Sequence, residues 1–197
     1  MATITAQYGA WTYLIIFVIV FCETGLVITP FLPGDSLLFV LGALAAAGAL
    51  QLPLLLVLLS VAAIGGNMLN YSIGVFLSNR VRSNKAIPFV KQAHIKRTHE
   101  FFEKYGAKTI IITRFVPIIR TFAPFMAGVG SMPYGKFTIY NIIGGTAWVL
   151  VGILSGFLFG NLPFVQKNFS LVILMIVFVS LIPAVIEFIK HRQSSRS

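Results

Sequence analysis

Thr113 to Gly130 reads TRFVPIIRTFAPFMAGVG, an apolar stretch that carries two arginines (Arg114, Arg120), two prolines (Pro117, Pro124) and no carboxylate. Apolar residues in this density belong to the bilayer interior. Permanent cations are costly there, and proline removes a helix hydrogen bond and clashes with the preceding turn. A plain spanning helix explains none of these four residues. A stretch broken at proline, lining a polar cavity inside the protein, explains all of them.

The rest of the chain supports a membrane setting. Of 197 residues, 57% are hydrophobic and 10% charged, against about a quarter charged in a soluble domain. Apolar runs recur at 11–28, 52–76, 137–159 and 171–189, several of them near the roughly 20 residues that span a bilayer. The formal charge of +10 points to loops rather than to nucleic acid. Eight of the 15 Lys/Arg lie between Arg80 and Lys108, and three more lie in the tail at Lys190, Arg192 and Arg196. Basic residues beside spans mark the cytoplasmic side, which places the 79–108 loop and the C-terminus in the cytoplasm; the N-terminus is expected on the same side. The N-terminus, MATITAQYGAW, shows no basic leader and no small-residue cleavage site, so the first span is expected to stay. Cys22 is the sole cysteine, which excludes an intramolecular disulfide and reads as a small buried residue.

Parity then constrains the path. A first helix over 8–28 that starts inside ends outside, and a helix over 52–76 must deliver the basic loop to the inside. The apolar stretch 31–50 between them, interrupted by Pro30, Pro33 and Gly34, is therefore expected to dip in and return. The same count, with clean helices at 135–160 and 168–189, makes 109–130 a second re-entrant stretch, entering from the opposite face. The expected fold is an all-α polytopic membrane protein forming a single domain over 1–197. Its halves, 8–77 and 108–190, form an inverted repeat with a site near the bilayer midplane. Pro30, Pro33, Gly34, Pro117 and Pro124 are expected to shape the re-entrant tips. Between the halves, 86–105 reads as a basic amphipathic helix in the cytoplasmic headgroup layer, with Ile87, Val90, Ile95, Phe102 and Tyr105 on one face. His94 and His99 belong to that helix, and no cluster has metal-ligand spacing.

Four ionisable residues within the apolar segments need an account: Glu23, Asp35, Arg114 and Arg120. Glu187 sits beside Lys190 and His191 at the expected membrane interface, where local pairing is enough. One reading is structural, with the two carboxylates neutralising the two arginines as buried anchors. Buried pairs are a weak source of stability, however, because desolvation costs several kcal/mol per ion. The other reading is chemical. Guanidinium forks grip phosphate or carboxylate and keep their protons, whereas desolvated carboxylates titrate. On a straight helix Arg114 and Arg120, six residues apart, would diverge, and a break at Pro117 lets both turn toward one point.

The segments ETGLVITPFLPGD (23–35), GGNMLNYSIG (65–74), FFEKYG (101–106) and the R-F-x-P-x-x-R-x-x-x-P-x-x-A-G pattern from Arg114 to Gly128 together resemble the DedA family of bacterial inner-membrane proteins. That family shares the SNARE-associated (VTT) domain with eukaryotic lipid scramblases. The resemblance covers roughly residues 10–190 and implies two opposed re-entrant segments. It also implies lipid translocation, notably of undecaprenyl phosphate, or transport dependent on proton motive force. The family's essential acidic and arginine positions match Glu23, Asp35, Arg114 and Arg120.

These readings converge on a transporter of the bacterial inner membrane that moves an anionic lipid headgroup, polyprenyl phosphate or phospholipid, with protons as partners. Arg114 and Arg120 are expected to hold the anion, and Glu23 and Asp35 to couple to protons. No cofactor and no metal are expected, and a homo-oligomer is compatible with the sequence. The alternative is a proton-driven exporter of small ions or drugs. A membrane enzyme fits poorly, because no histidine lies in the apolar core to serve as a base.

Overall fold

The computed structural model describes residues 2–26, 34–82, 100, 102 and 104–167. Helices α1 (Ala2–Gly25), α2 (Gly34–Ala46), α3 (Leu52–Arg82), α4 (Thr109–Ile112), α5 (Pro117–Val129), α6 (Tyr134–Gly160) and α7 (Pro163–Lys167) follow one another, with 3-10 turns at Gly106–Lys108 and Thr113–Phe115. No strand occurs among the described residues. Pro30, Pro33, the expected helix at 168–189 and most of the amphipathic segment 86–105 lie outside them.

Helices α3 and α6 are the long apolar elements. Leu52–Ser78 and Tyr134–Gly160 each run for 27 residues. At 1.5 Å per residue that is about 40 Å, more than the roughly 30 Å hydrocarbon thickness. Their extent agrees with the sequence expectation, α6 to within one residue and α3 continuing to Arg82.

Helices α2 and α5 have 13 residues each, about 20 Å, too short to cross. Both end in the same hydrogen-bonded turn. After α2, Gly48 N–H donates to the Ala45 carbonyl and Ala49 N–H to that of Leu44. After α5, Ser131 N–H donates to Gly128 and Met132 N–H to Ala127. This is the Schellman arrangement, which needs a left-handed residue just past the helix. Gly48, at φ 75°, adopts it without a Cβ penalty, while Ser131 adopts it at φ 58°. Each turn leads directly into the following long helix, so short helix, Schellman turn and long helix occur twice.

The chain divides into two compact units: residues 1–6, 31–55 and 151–197 in one, and 7–30 and 56–150 in the other. In the first, α2 lies against the end of α6 at a run of glycines. A Cβ at Gly156 would collide with the Phe39 backbone, one at Gly42 with the Ile153 carbonyl, and one at Gly160 would come within 2.9 Å of Ala43 Cα. Phe39 and Phe159 pack ring to ring at 5.4 Å. In the second unit, α5 lies against α3 in the same manner. A Cβ at Gly74 would strike the Phe125 backbone and one at Gly128 the Tyr71 carbonyl. Small residues that let backbones touch are how helices associate in lipid, where burying apolar surface gives little advantage. Around that contact Tyr71, Ile110, Ala123, Ala127 and Phe137 form one apolar cluster, and Phe122, Phe125 and Val129 another. Trp11, Val57, Phe76, Ile139 and Leu158 stay exposed, as suits surface in contact with lipid.

Candidate functional site

The polar residues of the second unit gather where the chain breaks before α5. α4 and the 3-10 turn carry it to Phe115, and Val116 is then extended, at φ −118° and ψ 101°. Two effects produce this. The residue before a proline is pushed out of the helical region, and Pro117, with no N–H to satisfy, is suited to open a new helix. The sequence-predicted break is at this position. Pro124, expected at a tip, instead lies inside α5, and the turn falls at Gly130 and Ser131. Gly34 opens α2 and is buried.

The break turns both guanidinium groups to one indole. Arg114 Cζ lies 5.9 Å and Arg120 Cζ 4.7 Å from the centroid of the Trp148 ring. The arginines are 1% and 6% exposed. Glu23, on the last turn of α1 and 3% exposed, accepts a hydrogen bond from Arg120 Nη2 through Oε1 at 2.7 Å. Gly66 lets α1 come this close, because a Cβ there would overlap Thr24 Oγ1 and the Phe21 carbonyl. Buried, charge-assisted pairs of this kind are strong locally and costly to break from one side.

Arg114 is held differently. Its Nη2 donates to Asn141 Oδ1 at 2.7 Å and, more weakly, to the Ala63 carbonyl at 3.4 Å. Its Nε and Nη1 have no hydrogen-bond partner among the described residues. Gly144 and Gly145 give the side chain room: a Cβ at Gly145 would stand 3.1 Å from Nη2. Asn141 also accepts from Asn67 Nδ2 at 3.0 Å and donates through Nδ2 to the Ile64 carbonyl at 3.0 Å. Its orientation is forced, since a guanidinium only donates and a carbonyl only accepts. One turn further along α3, Asn70 donates to the Thr24 carbonyl at 3.2 Å and the Thr121 carbonyl at 2.9 Å. Those carbonyls belong to the residues immediately after Glu23 and Arg120, so one amide braces the backbone on both sides of the ion pair.

The structure thus brings together Glu23, Arg114 and Arg120 of the expected four. Asp35 is exposed in the first turn of α2, in the first unit. The symmetric scheme of two carboxylates on two arginines does not describe Arg114, which amides and an aromatic face hold instead. Sequence reasoning that counted only ionisable groups passed over Asn67, Asn70, Asn141 and Trp148. The signal was present: an amide in an apolar spanning helix needs a partner as surely as a charge does. Among the described residues no group of three or more His, Cys, Asp or Glu is placed to hold a metal. Two buried cations, Arg114 with N–H groups unused among the described residues and Arg120 paired with Glu23, can bind an oxyanion.

Comparison with known proteins gives a family model, the VTT domain, matching residues 32–158. Protein DedA of Escherichia coli (strain K12) is 49% identical over 197 residues, 99% of this chain and 90% of that protein. An uncharacterized membrane protein of Mycobacterium tuberculosis (strain ATCC 25618 / H37Rv) is 42% identical over 184 residues, 92% of this chain and 81% of its own length. Inner membrane protein YqjA of Escherichia coli (strain K12) is 36% identical over 155 residues, 79% of this chain and 70% of its own length. No solved structure gives a significant match. With the long apolar helices α3 and α6, the VTT domain and these membrane-protein relatives, the chain belongs to the DedA family of membrane proteins.

Proposed function

We propose that this protein moves an anionic lipid headgroup, polyprenyl phosphate or a phospholipid, between the leaflets of a bacterial inner membrane. The observation that carries the reading is Arg114, a buried guanidinium with Nε and Nη1 unbonded, whose neighbour Arg120 is held by Glu23. An arriving phosphate supplies the acceptors that Arg114 lacks and competes with Glu23 for Arg120, so that proton and anion binding are linked. Asp35, in the first turn of α2, is the second candidate for proton coupling. Helices α2 and α5, each too short to span, support re-entrant segments entering from opposite faces. The relative named as an inner membrane protein supports the location; the basic residues put the C-terminus in the cytoplasm, and the span count puts the N-terminus there too.

A second reading has one observation in its favour. At 1% exposure Arg114 is closed off from the surface, as in a site for a small soluble anion handled by a proton-driven exporter. Purified protein in liposomes separates the two. Under the lipid reading, leaflet exchange of polyprenyl phosphate rises well above that of protein-free vesicles, and Arg120→Ala reduces it to background. Near-normal exchange by Arg120→Ala would sink the headgroup role of the arginines. Uptake of a water-soluble phosphate analogue, with no exchange of the lipid, would favour the exporter.

A further inference from the structure

Glu23, Arg114 and Arg120 are the only charged side chains buried among the described residues, two cations and one anion. With the Glu23–Arg120 pair closed, one positive charge remains in excess, and it sits on Arg114. Carboxylate compensation for it is absent among the described residues: Arg114 touches the Asn141 amide, the Ala63 carbonyl and the Trp148 ring. The other elements of this unit add no buried charge. α3 contributes the Asn67 and Asn70 amides and the Tyr71 phenol, whose hydroxyl donates to the Met132 carbonyl. α6 contributes Asn141 and Trp148, and α5 contributes Arg120 alone.

In a low-dielectric site the ligand's charge must match this excess, because each uncompensated buried charge costs several kcal/mol. A phosphodiester headgroup carries one negative charge and matches Arg114 with the ion pair intact. A phosphomonoester carries nearly two above its second pKa of about 6. It matches only when Arg120 is released as well. Release leaves the Glu23 carboxylate buried beside an incoming anion, a like-charge contact that protonation removes.

Resting on the headgroup reading above, we infer that the site counts charge. A phosphodiester headgroup binds with no proton, whereas a phosphomonoester dianion binds together with one proton, taken from the aqueous phase onto Glu23. The acid then exists as a neutral carboxyl, Arg120 exchanges its Glu23 partner for a phosphate oxygen, and no other bond changes. Proton linkage is thus a property of the ligand's charge as well as of the protein.

The test uses the purified full chain in detergent and two short-chain probes, dihexanoyl phosphatidate (monoester) and dihexanoyl phosphatidylglycerol (diester). Calorimetry above pH 8, in buffers of differing ionisation enthalpy, reads the protons taken up on binding. About one proton is expected per phosphatidate and about none per phosphatidylglycerol. Phosphatidate affinity should accordingly fall about tenfold from pH 8 to pH 9 while the diester's stays flat. Glu23→Gln should bind phosphatidate more tightly than the parent at pH 9, with no proton uptake and no pH slope. Equal uptake for both probes overturns the inference and leaves the headgroup reading standing, as does undiminished uptake by Glu23→Gln. Binding of neither probe removes the headgroup reading itself, and the inference with it. The two-probe comparison on the parent protein still decides whether proton uptake follows the ligand's charge if the variant does not fold, and the carboxyl stretch of Glu23 in difference infrared spectra on phosphatidate binding then places the proton.

Discussion

Helices α2 and α5 have the same length, end in the same turn and rest on a glycine of a long helix through the backbone of a phenylalanine, Phe39 on Gly156 and Phe125 on Gly74. Beyond that shared frame they differ. The contact of α2 is apolar, a run of glycines and rings, and its one acid, Asp35, is exposed. The unit around α5 encloses two arginines, a glutamate and three asparagines. Among the described residues the same helix pairing forms around α2 without buried charge, so contact at glycine is enough to seat a short helix there.

Four substitutions bear on that contrast. The largest effect belongs to the frame. Gly156→Leu drives a side chain into the Phe39 backbone, an overpacking that nothing flexible relieves, and little folded protein should accumulate in membranes. Normal accumulation with an unchanged thermal midpoint would break the claim that backbone contact builds this unit. Next is the charge itself. Arg114→Ala should fold and accumulate close to the parent level while translocation drops about 100-fold, the scale expected when one charge-assisted hydrogen bond to an anion is removed. If accumulation collapses instead, the arginine is structural and the contrast between the two units fails.

Asn141→Leu lies between these. It strips an acceptor from Arg114 and Asn67 together, and about 1–2 kcal/mol of stability should go with it, read in thermal unfolding. Transport should fall about tenfold. Loss of stability with unaltered transport would mean that Arg114 needs no holding in place. The smallest effect, and the only gain, is expected from Ser131→Gly. A serine at φ 58° is strained, and glycine at the position equivalent to Gly48 relieves it, for about 0.5–1 kcal/mol. A lower midpoint would show that the two turns are not equivalent.

Much of the frame was legible in the chain. Length and apolarity gave α3 and α6, and the pairing of Pro117 with a preceding residue forced extended gave the break, because both are local effects. The arginines and Glu23 stood out since ionisable groups are rare at this depth. The partner of Arg114 did not, for a physical reason. A guanidinium donates to an amide or carbonyl oxygen as readily as to a carboxylate, and asparagine carries no charge to mark it. Pro124 misled because neighbouring structure can absorb one missing backbone donor, so that proline inside a membrane helix is compatible with continuity. Ser131 gave no warning, since serine is an uncommon choice for a left-handed turn and only its neighbour Gly130 advertised one.

The brace at Asn70 has a consequence for motion. Its amide grips the carbonyls of Thr24 and Thr121, main-chain atoms that take no part in the Glu23–Arg120 contact. The ends of α1 and α5 are therefore tied by a neutral strut, while the charges between them are free to trade partners by rotation about side-chain bonds. Rotation of that kind needs no displacement of a helix, whereas sliding of helices takes microseconds or longer. The electrostatic state of the site can change without a change in the shape of the protein, and a distance probe spanning those two helix ends would record silence while it does.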